Sequence, residues 1–112
     1  MNRRMFAALL AIGFAVAFAP RMAMAEDHLG EAITHTKEAI DHGKQGHADL
    51  LATHAEEALK HAEAAEKAKD NVHTKEGIKH LKEAIDHGKQ KHADVATKHA
   101  EEALKHLEAA TK

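Results

Sequence analysis

No cysteine, tryptophan, tyrosine or serine occurs anywhere in the 112 residues. The single proline (Pro20), all three phenylalanines, all four methionines and all three arginines fall before residue 25. Each absence excludes something. Without cysteine there is no disulfide and no thiolate ligand. Without cysteine or serine the usual nucleophiles of covalent catalysis are missing. Beyond residue 25 the chain has no aromatic ring except imidazole, and 13 lysines stand against 18 acidic residues, a formal balance of −5. An acidic surface without arginine or stacking platforms does not suit nucleic acid.

What the first residues do contain is an export pattern. Arg3 and Arg4 precede an uncharged run of 15 residues from Met5 to Ala19, and Ala23-Met24-Ala25 offers a small-x-small cleavage site. A membrane anchor is the rival reading. It requires about 20 apolar residues, whereas this run is shorter and is closed by Pro20 and Arg21. Residues 1–25 are therefore predicted to be a cleaved secretory signal, leaving 26–112 as one small domain with no membrane attachment. Its large aliphatic residues are few and alanine supplies most of the remaining apolar surface, so the core is expected to be thin and only marginally stable.

The domain is a duplication. Sliding the chain by 45 positions lays residues 28–67 on 73–112, and 28 of the 40 aligned pairs are identical. The segment EAIDHGKQ recurs at Glu38–Gln45 and Glu83–Gln90. Within each unit apolar residues return every three or four positions. Leu29, Ala32, Ile33, Thr36, Ala39 and Ile40 mark one helical face, and Ala48, Leu51, Ala52, Ala55, Ala58, Leu59 and Ala62 mark the next. Gly43 is predicted to end the first helix in the left-handed conformation, with Gly88 as its counterpart, while Gly46 loosens the restart. Asp70-Asn71 is the natural break between units. The expected fold is all-α: an up-down-up-down four-helix bundle with helices at 28–43, 47–69, 73–88 and 91–111, made of two tandem hairpins at 26–70 and 71–112. Two long bent helices pairing in a dimer is the alternative.

Twelve histidines stand in this duplicated frame: His28, His35, His42, His47, His54 and His61, then His73, His80, His87, His92, His99 and His106. Seven-residue steps, with a five-residue step at each turn, hold them on one flank of every helix. Reflection through the turns pairs His42 with His47, His35 with His54 and His28 with His61. It likewise pairs His87 with His92, His80 with His99 and His73 with His106. The rungs are spaced about 10 Å apart, so His35 and His61 are predicted to be too distant to share an ion. The flanks meet within a hairpin for one hand of the turn. For the other hand the stripes of helices two and three meet, as do those of one and four. Glu31, Glu38, Glu76 and Glu83 sit three and four residues from neighbouring histidines, and Glu57 and Glu102 lie between histidines in the second and fourth helices. Leu50 and Val95 interrupt the stripe.

Imidazole and carboxylate in reach of one another form a ligand set for divalent transition metals. Nitrogen and oxygen donors suit Cu(II), Ni(II), Zn(II) and Fe(III), with generic affinity favouring Cu(II); soft Cu(I) lacks its sulfur ligands. Cleavage after Ala25 would also expose Glu26-Asp27-His28, a sequence able to close a square-planar shell around Cu(II), although that shell needs backbone amides that a helix start would use. Many similar exposed sites suit metal buffering rather than catalysis, which needs one shaped pocket, so no enzymatic activity is expected. A copper metallochaperone and a pH-responsive histidine bundle are the competing readings.

The ordered histidine heptads, the EAIDHGKQ repeats, the HAEEALKH segments at His54–His61 and His99–His106 and the export pattern together resemble the small periplasmic metal-binding proteins of ammonia-oxidising bacteria. The resemblance covers the whole chain after residue 25. It implies a monomeric four-helix bundle in the periplasm that binds several Cu(II) ions and other metals, and that buffers or detoxifies copper.

Overall fold

The computed structural model describes residues 24–112, with side chains from His28 onward. The predicted export signal thus lies almost wholly outside the described residues. Among these residues four helices follow one another: α1 (Met24–Lys44), α2 (Ala48–Ala68), α3 (Val72–Lys89) and α4 (Ala93–Ala110). The bundle is the predicted one. Each helix packs on the next and α1 closes the ring against α4, while α2 and α4 also touch across the diagonal. Helices of 18–21 residues are about 27–32 Å long. None of the described helices is long and apolar enough to cross a membrane. α1 begins earlier than expected and runs through Glu26, Asp27 and His28. Those amides would have to leave the helix to form the square-planar terminal shell.

Alanine spacing sets the interior. Ala32, Ala39, Ala55, Ala58, Ala62, Ala84, Ala96, Ala100 and Ala103 are fully buried, with Leu51, Leu81 and Leu107 as the largest buried aliphatic side chains. Small residues let the helix backbones approach closely, and each buried leucine contributes roughly 1.5–3 kcal/mol. The two halves fill this core differently. Thr36 and Leu81 occupy equivalent positions, as do Leu51 and Ala96, and Ala62 and Leu107. Thr36 satisfies its buried hydroxyl by donating to the Ala32 carbonyl at 2.7 Å, a local bond open to threonine within a helix.

The turns correct one prediction. Gly43 does not cap α1; the helix continues to Lys44. The left-handed residue is Gly46, with φ +83°. The His47 amide donates to the His42 carbonyl at 2.9 Å, and the Gly46 amide to the Gly43 carbonyl at 3.0 Å. This double closure is a Schellman motif with Gly46 in the left-handed position. The second turn repeats it, with His92 donating to His87 at 2.9 Å and Lys91 to Gly88 at 3.0 Å. There Lys91 takes the left-handed conformation at φ +68°. Gly43 and Gly88 have another reason to lack a side chain. A Cβ on Gly43 would lie 2.6 Å from Leu51 Cδ1 and closer still to Thr97 Oγ1; one on Gly88 would lie 3.1 Å from both Ala52 Cβ and the Ala48 carbonyl oxygen. These glycines are where α1 and α3 press on neighbouring helices.

Between the hairpins the expected break at Asp70-Asn71 is present. Asn71 caps α3, its side chain accepting from the His73 amide at 2.8 Å and the Thr74 amide at 3.3 Å, which satisfies two of the free donors at a helix start. Glu66 and Lys75 flank the link. Hydrogen bonding with Glu66, and then with the Lys75 ammonium 2.7 Å away, holds the Asp70 carboxyl below its ordinary pKa. Asp70 and Lys75 are both exposed, so their ion pair contributes little to stability.

Candidate metal centre

The hand of each turn brings the histidine flanks together within a hairpin. His28 and His61 have ring centroids 5.1 Å apart, His35 and His54 6.1 Å, and His42 and His47 6.1 Å. In the second hairpin the distances are 5.7 Å for His73 and His106, 5.7 Å for His80 and His99, and 5.9 Å for His87 and His92. All six predicted rungs form, three on each hairpin.

The rungs are not isolated from one another. His35 stacks on His61 at 5.7 Å and His42 on His54 at 4.9 Å; His80 stacks on His106 at 5.7 Å and His87 on His99 at 5.4 Å. This overturns the prediction that His35 and His61 stand too far apart to share an ion. The cause is the tilt of side chains toward the N-terminus of their own helix. On α1 that tilt moves His35 away from the turn. On the antiparallel α2 it moves His61 toward the turn. The two rings therefore meet at an intermediate height, and each ladder is a continuous zigzag.

Among the described residues, carboxylates enter this zigzag at four places. Glu31, His35 and His61 converge, as do His35, Glu38 and His54; the second hairpin repeats both groups with Glu76, His80 and His106, and with His80, Glu83 and His99. Within each group the donor atoms lie within 4.8 Å of one another. Glu38 Oε1 stands 3.3 Å from His35 Nδ1 and 3.2 Å from His54 Nδ1. Glu83 Oε1 stands 3.6 Å from His80 Nδ1 and 3.0 Å from His99 Nδ1, and the two nitrogens are 3.4 Å apart. Bonds of about 2.0–2.1 Å to a tetrahedral ion separate neighbouring donors by about 3.3 Å. The spacing matches that edge.

Two further features fit a cation. His35 and His54 Nδ1 are buried and, despite their closeness to Glu38, neither makes a hydrogen bond. A buried nitrogen without a partner is costly, and an ion between these donors would satisfy both. The three donors also leave room for a fourth ligand from solvent, because Glu38 is exposed and both histidines are only half-buried.

The remaining predicted ligands are placed differently. His28 and His73 pair with His61 and His106 through nitrogens 2.9 and 3.4 Å apart, and among the described residues no carboxylate completes a group of three with either pair. The turn pairs His42–His47 and His87–His92 likewise have no acidic third member. Leu50 and Val95, both exposed, occupy the place on the stripe where one would stand. Glu57 and Glu102 are exposed and enter no group; Glu102 faces Lys105 at 3.6 Å. Every member of the four groups belongs to the predicted ligand set. What spacing along the chain missed is that His35 and His80 each belong to two groups.

A family model described as small metal-binding protein matches residues 3–110 of this chain. A comparison with curated proteins returns no match.

Proposed function

Since the chain belongs to the small metal-binding protein family, we propose that it is a non-catalytic store for divalent transition metals, chiefly Cu(II), which buffers and detoxifies them in the periplasm. The observation that carries this reading is the fourfold recurrence of a two-histidine, one-carboxylate group on two ladders. Nitrogen and oxygen donors without sulfur suit Cu(II), Ni(II) and Zn(II), and Cu(II) stands highest among these in intrinsic affinity. The groups lie along open, half-exposed helix flanks. That suits loading and release of ions more than the positioning of a substrate. Passage to the periplasm is supported by the Arg3-Arg4 flank, the apolar run and the Ala23-Met24-Ala25 site.

Equilibrium dialysis against Cu(II), followed by metal analysis, tests the proposal. Several ions should be retained per chain at pH 7 and most should be lost by about pH 5, because protons compete for the imidazole lone pairs. A chain that returns from dialysis empty at pH 7 refutes it. For the location, a reporter fused to residues 1–25 should be exported and cut after Ala25; retention in the cytoplasm refutes that part.

A further inference from the structure

The two groups on each ladder overlap at one side chain. His35 belongs both to the group with Glu31 and His61 and to the group with Glu38 and His54; His80 plays the same part between Glu76–His106 and Glu83–His99. The two nitrogens of His35 face different ways. Nε2 is turned toward Glu31, 3.8 Å from its Oε1, whereas Nδ1 is turned toward Glu38 at 3.3 Å. A neutral imidazole has one lone pair to give; its other nitrogen carries the proton. His35 therefore serves one group at a time.

Resting on the metal-binding reading above, we infer that the two groups of each hairpin are mutually exclusive sites for a divalent ion such as Zn(II), selected by the tautomer of the shared histidine. When His35 ligates through Nδ1, together with Glu38 and His54, the Nε2 proton is directed at Glu31. When it ligates through Nε2, together with Glu31 and His61, the Nδ1 proton is directed at Glu38. In either state the carboxylate of the empty group supports the proton of the ring that ligates in the other. A ligating histidine is commonly held by such an outer carboxylate. Each hairpin thus has one tight ion that can stand at either of two adjacent positions, and exchange between them needs only a change of tautomer and a short displacement. A second ion on the same ladder must do without the shared ring. It is left with histidine pairs that, among the described residues, lack a third close donor, such as His42 with His47. The duplication sets the total: four groups among the described residues, but two tight ions.

The test is calorimetric titration of the whole chain with Zn(II), with nitrogen NMR of the histidine rings. Two equivalents should bind in a first tight phase, and later ones at least ~10-fold more weakly, as expected when a ligand or its support is lost. His61→Ala should keep two tight equivalents and lock His35 into Nδ1 ligation. His54→Ala should also keep two and lock His35 into Nε2 ligation. His35→Ala, and the double variant His54→Ala with His61→Ala, should each leave one. Circular dichroism of the variants monitors their helix content. Four equal tight equivalents, or a drop in tight binding with His61→Ala alone, overturns the inference. So does a His35 ring with both nitrogens bound to metal. If the chain binds Cu(II) but takes up no Zn(II), or takes it in four equal sites, only this inference falls. If it takes up neither ion, the metal-binding reading falls with it.

Discussion

Replacing Gly43 by alanine separates two accounts of the repeated glycine. If Gly43 served as a left-handed cap, alanine would cost about 1–2 kcal/mol, and the equivalent change at Gly88 would cost the same. The structure assigns it a different role. Gly43 lies inside α1, where alanine by itself should gain up to about 1 kcal/mol in helix propensity. Against that gain, the new methyl would sit 2.6 Å from Leu51 Cδ1 and nearer to Thr97 Oγ1, well inside the optimum of about 3.5–4.0 Å between carbon atoms. Overpacking of this kind costs typically 1–3 kcal/mol, and this contact belongs at the upper end because both neighbours are buried. The net expected loss is about 2 kcal/mol. For a domain of this size that lowers the melting temperature by roughly 8–16 °C. Gly88→Ala meets its nearest neighbours at 3.1 Å, so its loss should be below about 1 kcal/mol once the helical gain is included. Thermal melting followed by circular dichroism, with chelator present, reads both. Thr97→Ala should partly rescue Gly43→Ala, with a coupling of at least ~0.5 kcal/mol in the double-mutant cycle. Equal losses at Gly43 and Gly88, with strict additivity toward Thr97, would refute the close-approach account.

Lys91 holds a left-handed backbone conformation that costs an L-residue roughly 1–2 kcal/mol, while its 3.0 Å pair with Asp49 is exposed and worth about 0–1 kcal/mol. Lys91→Gly should therefore raise the melting temperature by a few degrees and Gly46→Ala should lower it; the opposite order of melting would contradict the turn geometry. Saturating Cu(II) or Zn(II) should raise the melting temperature, because the groups join two helices and at 100 times Kd a site contributes about 2.7 kcal/mol. Histidines of the unfolded chain also bind metal and reduce this gain, but an unmoved melting curve would show that the ions do not bridge helices. Glu57→Gln and Glu102→Gln should leave tight Zn(II) uptake unchanged in calorimetry, whereas Glu31→Gln combined with Glu38→Gln should remove the tight ion of the first hairpin.

Much of this protein is legible along the chain because its two periodicities are local. Apolar residues at three- and four-residue steps define the helices, and the Asp70-Asn71 break and the 45-residue repeat define the hairpins. Seven-residue steps put all twelve histidines on one flank, and the shortened step at each turn aligns His42 with His47 and His87 with His92. The ligand types follow from those residues alone. Other features depend on where one helix stands against another. Spacing gives an angle around a helix axis, but it leaves open the hand of the turn that joins His35 to His54 within a hairpin. Axial distance also ignores the tilt of the Cα–Cβ bonds, which lean oppositely on antiparallel helices and bring His35 to His61 at 5.7 Å. The sharing of His35 and His80 arises only from that tilt. Glu57 has the same sequence credentials as Glu38, yet only Glu38 reaches histidines on both helices, 3.3 Å and 3.2 Å away. Gly43 and Gly46 were equally able to take the left-handed position. The Schellman bonds place it at Gly46, and Gly43 is held as glycine by Leu51 and Thr97, which belong to other helices.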